Sequence, residues 1–159
     1  MAWTASGLYA CNLVPNLDLS IATKWTLGTN KIALYNNTDT PDFTVAAAAG
    51  IYSATNEVSG TGWAAGGVLL SAAAAGPASV TPTVTQSPAK TVMYDWTNDV
   101  SVAGTTLTAA VGAKVYIDSL SPKALILAIW FGGTAYTTSA GTFAITINVL
   151  GVATIQCAA

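Results

Sequence analysis

Apolar and polar positions alternate over short stretches along most of the chain. The alternation is broken every few residues by Gly, Asn, Asp or Pro. Period-two alternation bounded by turn residues predicts strands. The clearest case is Lys31–Tyr35 (KIALY), which stops at Asn36-Asn37. Residues 90–96 (KTVMYDW) stop at Thr97-Asn98-Asp99, and in residues 142–148 Phe143, Ile145 and Ile147 alternate with Thr142, Thr146 and Asn148. Shorter strands are predicted at 68–71, 79–85, 100–102, 105–109, 114–118 and 152–156. Pro82 marks its segment as an edge strand or a break, because proline cannot donate to a ladder. Residues 124–131 (ALILAIWF) are apolar on both parities, which predicts a central strand covered on both faces.

Helical signals are few. Residues 13–25 fit a short helix through Leu17, Ile21 and Trp25, or a strand through Leu17, Leu19 and Ile21. The alanine runs at 46–49 and 72–75 are too short to nucleate a helix alone and read as loops or strand ends. About nine or ten short strands with frequent turns predict an all-β fold. The expected architecture is a single-domain antiparallel β-sandwich, jelly-roll-like, over residues 1–159. Residues 1–12 are a candidate N-terminal arm.

Composition narrows the chemistry. Among 159 residues there are five lysines, seven acidic residues, no arginine and no histidine. Charged residues make up 8%, against roughly 25% in an ordinary globular protein. Without histidine the commonest general base and metal ligand is missing. Without arginine, bidentate phosphate recognition is missing, and a net charge of −2 makes nucleic acid a poor partner. The longest apolar run has eight residues, far short of the roughly 20 needed to span a membrane. The first residues carry no leader pattern, so synthesis in a cytoplasm is expected. Cys11 and Cys157 read as two reduced thiols or as a bridge between the ends; spacing does not choose between them.

No motif points to catalysis, a metal or a cofactor. The close carboxylate pairs Asp39/Asp42 and Asp95/Asp99 sit in turns, where Asp bonds to nearby backbone; a weak Ca²⁺ site is the sharper alternative. Residues 60–65 match G-x-G-x-x-A, but Gly66-Gly67 follows where a helix should open. The segment reads instead as a glycine turn between strands. Asn36-Asn37-Thr38 matches a glycosylation sequon only by pattern. Five tryptophans and six tyrosines could form a sugar-binding face. Trp96 and Trp130 fall in predicted strands and are expected in the core, while Trp63, in the glycine loop, is expected to be exposed.

The placement of charge says more than its total. Residues 58–89 and 124–159 contain none. The outer positions of those strands are Thr, Ser, Ala and Asn, a neutral surface of small side chains. Charge is depleted at interface cores, and a symmetric oligomer would repeat any unpaired charge. The pattern predicts a subunit built for packing, with a monomer of Thr-rich surface as the alternative.

Several blocks occur in an order that resembles a known group. They are Thr4-Ala-Ser-Gly-Leu-Tyr9, Lys31-Ile-Ala-Leu-Tyr-Asn36 and Asn56-Glu-Val-Ser-Gly-Thr-Gly-Trp-Ala-Ala-Gly-Gly67. Asp95-Trp-Thr-Asn-Asp-Val-Ser-Val-Ala103, Val115-Tyr-Ile-Asp118, Ala128-Ile-Trp-Phe-Gly-Gly133 and Gly141-Thr-Phe-Ala-Ile-Thr-Ile147 follow. Together they resemble small tailed-bacteriophage virion proteins, associated with the head as decoration (cement) proteins or with the head–tail region. Arg-Gly often precedes the apolar strand in that group; here Val111-Gly112 stands there, with Lys114 following.

The resemblance implies a β-sandwich with a structural, non-enzymatic role. The expected function is a capsid decoration protein in the virion, made in the bacterial host cytoplasm. Its expected partners are the major capsid protein or other virion subunits and copies of itself, a trimer being favoured, with no nucleic acid, membrane or cofactor. The alternatives are a tail, neck or fibre-associated protein, or a carbohydrate-binding adhesion module. Residues 2–9 and 56–67 depart from simple alternation, so Trp3, Leu8, Tyr9, Glu57 and Trp63 are the candidate assembly contacts.

Overall fold

The alternation in KIALY places Ile32 and Leu34 on one side of a strand and Ala33 and Tyr35 on the other. All four are fully buried, so this strand lies inside a sheet covered on both faces. The computed structural model of the chain describes residues 2–17, 25–44, 47–71, 80–87, 91–148 and 151–156. In chain order the elements are β1 (Gly7–Leu8), α1 (Ala10–Leu17), β2 (Lys31–Tyr35), a 3-10 turn (Ala47–Gly50), β3 (Glu57–Val58) and β4 (Val68–Leu69). Then follow β5 (Pro82–Ser87), β6 (Thr91–Trp96), β7 (Val100–Ala110), β8 (Gly112–Ile117), β9 (Ala124–Trp130), β10 (Tyr136–Ile145) and β11 (Ala153–Gln156).

The fold is all-β and sandwich-like, with antiparallel pairing throughout. The largest sheet runs β1-β9-β8-β2-β3, with β4 also pairing β2; β10-β7 and β11-β6-β5 form two smaller sheets. One core joins all three. It draws Ile32, Leu34, Val115 and Leu127 from the large sheet, Leu107, Phe143 and Ile145 from the second, and Tyr94 and Trp96 from the third. The opposite face of the large sheet carries a second apolar cluster of Ala33, Tyr35, Tyr116, Leu125 and Ala128, covered by Trp3 and Tyr9. Those two clusters explain why 124–131 is apolar on both parities.

β9 also breaks parity. Val115 pairs Leu127 but Tyr116 pairs Leu125, so Ile126 is an extra residue in a bulge. The bulge puts Ile126 and Leu127 on the same core, which strict alternation forbids. The freed Ile126 carbonyl accepts the Tyr9 N–H at 3.1 Å.

β7 and β10 are longer than alternation suggests, because bulges carry them through. The predicted strands 100–102 and 105–109 are one strand, with an extra residue around Gly104 (φ 68°). Further shifts in register fall around Ala109 (φ 60°) and Ala140 (φ 50°). Alanine is strained at positive φ, so both positions are held there by the surrounding ladder. Pro82 begins β5, which among the described residues pairs only β6, as an edge strand should. Of the segment 13–25, residues 13–17 belong to a short helix that starts at Ala10, while residues 18–24 lie outside the described residues; part of the first alanine run forms the 3-10 turn. The run at 72–75 and Cys157 lie outside the described residues, and Cys11 is a free thiol. Among the described residues no helix is long and apolar enough to cross a membrane.

Candidate functional site

Glu57 and Trp63 belong to a folded lock rather than to an open contact surface. The chain after β3 turns through Gly62, Gly66 and Gly67, all at positive φ. Glycine adopts this region freely. Glu57 Oε1 accepts the N–H groups of Gly66 and Gly67 at 2.8 and 3.0 Å. Its Oε2 accepts the Tyr52 hydroxyl at 2.8 Å. Tyr52 stacks on Tyr116 with ring centroids 4.2 Å apart, and the Tyr116 hydroxyl donates to the Gly66 carbonyl. Burial, and then the Glu57 carboxylate, push the Tyr52 hydroxyl above its ordinary pKa. It therefore stays a protonated donor.

The glycines are placed by close approach as well as by φ. A Cβ on Gly60 would stand 2.0 Å from the Thr106 carbonyl oxygen, and one on Gly67 would stand 2.2 Å from that of Ile32. The turn thus folds inward, and Trp63 is 0% exposed, edge-on to Phe143 at 5.5 Å. The expectation that Trp63 is exposed is overturned: the glycine turn aims its ring into the core. The exposed residues of this segment are Ser59, Gly60, Thr61, Gly62, Ala64 and Ala65.

The N-terminal segment is a strap. β1 pairs Leu8 with Leu127, and the Trp130 N–H donates to Ser6 Oγ at 2.8 Å. Trp3 and Tyr9 are each 1% exposed. Trp3 lies on Gly112, where an added Cβ would come within 2.8 Å of the indole. Beside it Lys114 Nζ donates to Asp39 Oδ1 at 2.9 Å and lies as close to Oδ2. The ammonium also sits 4.4 Å from the Tyr35 ring centre and 5.9 Å from that of Trp3. Ala33 and Ala128 flank Lys114 across the sheet, leaving room for its stem. A buried charge needs such a partner. Lys114 is therefore committed to Asp39. Trp3 and Tyr9 are likewise spent inside the chain. Of the five candidates Trp3, Tyr9 and Trp63 are buried while Glu57 and Leu8 are partly exposed, Leu8 on a groove of about 250 Å³ shared with residues 152–154.

The carboxylates are held locally. Asp42 accepts the Thr44 N–H, which keeps its carboxyl below the usual range. Asp95 accepts the Trp96 N–H, and Asp99 that of Ile147. Asp118 bridges Lys31 and Lys123 at 3.0 and 2.6 Å. Among the described residues no three His, Cys, Asp or Glu side chains gather where a metal could bind.

A larger concavity than the one beside Leu8 lies elsewhere. A groove of about 710 Å³ runs between the end of β9 and the outer edge of β10, lined by residues 129–131, 136–138 and 142–146. None is charged. Tyr136 is 47% exposed at its rim, edge-on to Phe131 at 6.0 Å. Sequence reasoning missed this groove, although it singled out the strand and the charge-free stretch that build it. Knowing that β10 has no second neighbour among the described residues was the missing information. No family model, curated protein or solved structure matches the chain.

Proposed function

We propose that the chain is a non-enzymatic structural subunit of a bacteriophage virion, most specifically a decoration protein bound to the outside of the assembled head. The observation that carries this reading is the outer surface of β7 and β10. Every exposed position on these two strands is Ser, Thr, Ala, Gly or Tyr. A neutral surface of small side chains is suited to being covered by protein and carries little that could bind nucleic acid. The ordered sequence blocks point to the virion, and the charge-free sheet agrees with a packing role.

The mechanism is linkage. A protein that binds the closed shell and not the loose subunit stabilises the shell by mass action. Many copies, each weakly held, add through avidity once they touch one another. The natural partners are the major capsid protein and further copies of the chain. Binding of the purified protein to isolated heads, with quantitative mass spectrometry of the virion for copy number, tests the reading. High copy number and heat-protected heads are expected. Low copy number would move the protein to the tail or neck, and absence from the virion would refute the proposal.

A further inference from the structure

On a strand, successive side chains point to opposite faces. A groove wall made of consecutive residues is therefore a strand edge. Residues 142–146 form such a wall, and among the described residues β10 pairs only β7. The other edge of β7 is met by the glycine turn, where the Thr106 N–H donates to the Thr61 carbonyl at 3.0 Å. Along the regular part of β10, alternate residues direct their backbone N–H and C=O groups away from β7.

Natural edges are normally blunted by bulges, charge or proline. The bulges of this pair fall between Tyr136 and Phe143, and Phe143, Ala144 and Ile145 pair β7 without a shift. Residues 142–146 carry no charge and no proline. Phe143 and Ile145 are held in the core, while Thr142, Ala144 and Thr146 are exposed. The regular piece of edge is thus the unprotected piece, and its side chains are anchored from behind.

We propose that residues 142–146 take the same edge of a second copy, joining two β7–β10 pairs into one four-stranded sheet; this rests on the structural-subunit reading above. The segment is self-complementary. In an antiparallel pair about a twofold axis at Ala144, Ala144 faces Ala144 of the second copy and Thr142 faces Thr146. Threonine pairs across strands are favourable, and the small central residue permits close approach. A two-stranded sheet is marginal alone, so the added strands complete it. A free sugar fits less well, because no carboxylate or amide side chain lines the groove to fix its hydroxyls. A contact of this symmetry closes as a dimer, in place of the trimer that the resemblance favours.

Sedimentation of the full chain is the test, run on wild type, Ala144→Lys and Thr85→Lys. Position 144 is exposed, so the lysine leaves the core intact, which the tryptophan emission checks. Across the twofold it sets two ammonium groups side by side, and self-association should weaken roughly tenfold or more. Thr85→Lys, on the exposed edge strand β5, should leave it unchanged. Ala144→Cys should cross-link copy to copy on mild oxidation, beyond any cross-linking of wild type. A monomeric wild type overturns the proposal, as does an oligomer indifferent to Ala144→Lys. Slow amide exchange at 142–146 in a monomer also overturns it, because the cover then comes from the same chain. None of these results touches head binding, which is measured separately and decides the virion reading alone.

Discussion

Replacing Glu57 should show how much of the fold hangs on one side chain. Its carboxylate accepts three hydrogen bonds, two from the Gly66 and Gly67 backbone and one from the Tyr52 hydroxyl. A hydrogen bond to a charged group is worth about 1.5–3 kcal/mol. Glu57 is partly exposed, so the lower end applies, and water re-solvates part of what is lost. Glu57→Ala should therefore cost about 3–4 kcal/mol, largely by freeing the turn that seats Trp63. Glu57→Gln keeps an oxygen for both glycine amides and an N–H₂ for the tyrosine oxygen, and should cost about 1 kcal/mol. Urea unfolding followed by tryptophan fluorescence measures both, with an unchanged slope required for the comparison. In the alanine variant the Gly66 and Gly67 amides should also exchange faster at concentrations that leave the fold intact. A cost below about 1 kcal/mol for alanine, or equal costs for alanine and glutamine, would refute the lock.

Gly112→Ala sets a Cβ 2.7 Å from the Ile129 carbonyl and 2.8 Å from the Trp3 ring; it should cost about 2–3 kcal/mol and red-shift the emission as Trp3 lifts. Lys114→Met leaves Asp39 buried without its cation and should cost about 3–5 kcal/mol. Adding Asp39→Asn should return part of that loss, and additive costs in a double-mutant cycle would exclude the coupling. Ala140→Gly relieves a positive φ and should stabilise by about 0.5–1 kcal/mol, read as a higher urea midpoint. Burial pushes the Asp118 carboxyl up, but Lys123 and Lys31 more than offset it, so its pKa lies below the ordinary 3.8. A carboxyl lowered by folding contributes stability that is present above the unfolded value and lost as pH falls through the folded one. Asp118→Asn should thus shrink the loss of stability below pH 3.8 and leave its slope near neutrality unchanged, which a pH series of urea midpoints reads.

Local pattern was most legible where one strand face did one job. KIALY, residues 91–96 and residues 114–118 appear close to their alternation, because two-residue periodicity follows from the pleat itself. The doubly apolar 124–131 correctly implied cover on both faces, but nothing in it marks Ile126 as the bulged residue. The bulge is fixed by the register against Val115 and Tyr116. Residues 100–109 read as two strands because Gly104 and its neighbours look like punctuation, whereas the paired strand carries the chain through it.

What the sequence alone determined is the all-β class of the fold and the side-chain types it lacks. Strand periodicity, turn residues and the missing histidine and arginine are local or compositional facts, and folding does not alter them. The fates of Trp3, Tyr9, Glu57 and Trp63 were decided by tertiary structure. An aromatic in a glycine turn points outward or inward according to what the turn meets, here the Thr106 backbone and Phe143. A lone glutamate is a surface charge until two amides and a tyrosine converge on it. The charge-free stretches were visible from the start, but only the pairing of strands separates them into buried faces and the open edge of β10. The edge exists because β10 has one neighbour among the described residues, and neighbours in a sheet are chosen across the chain rather than along it.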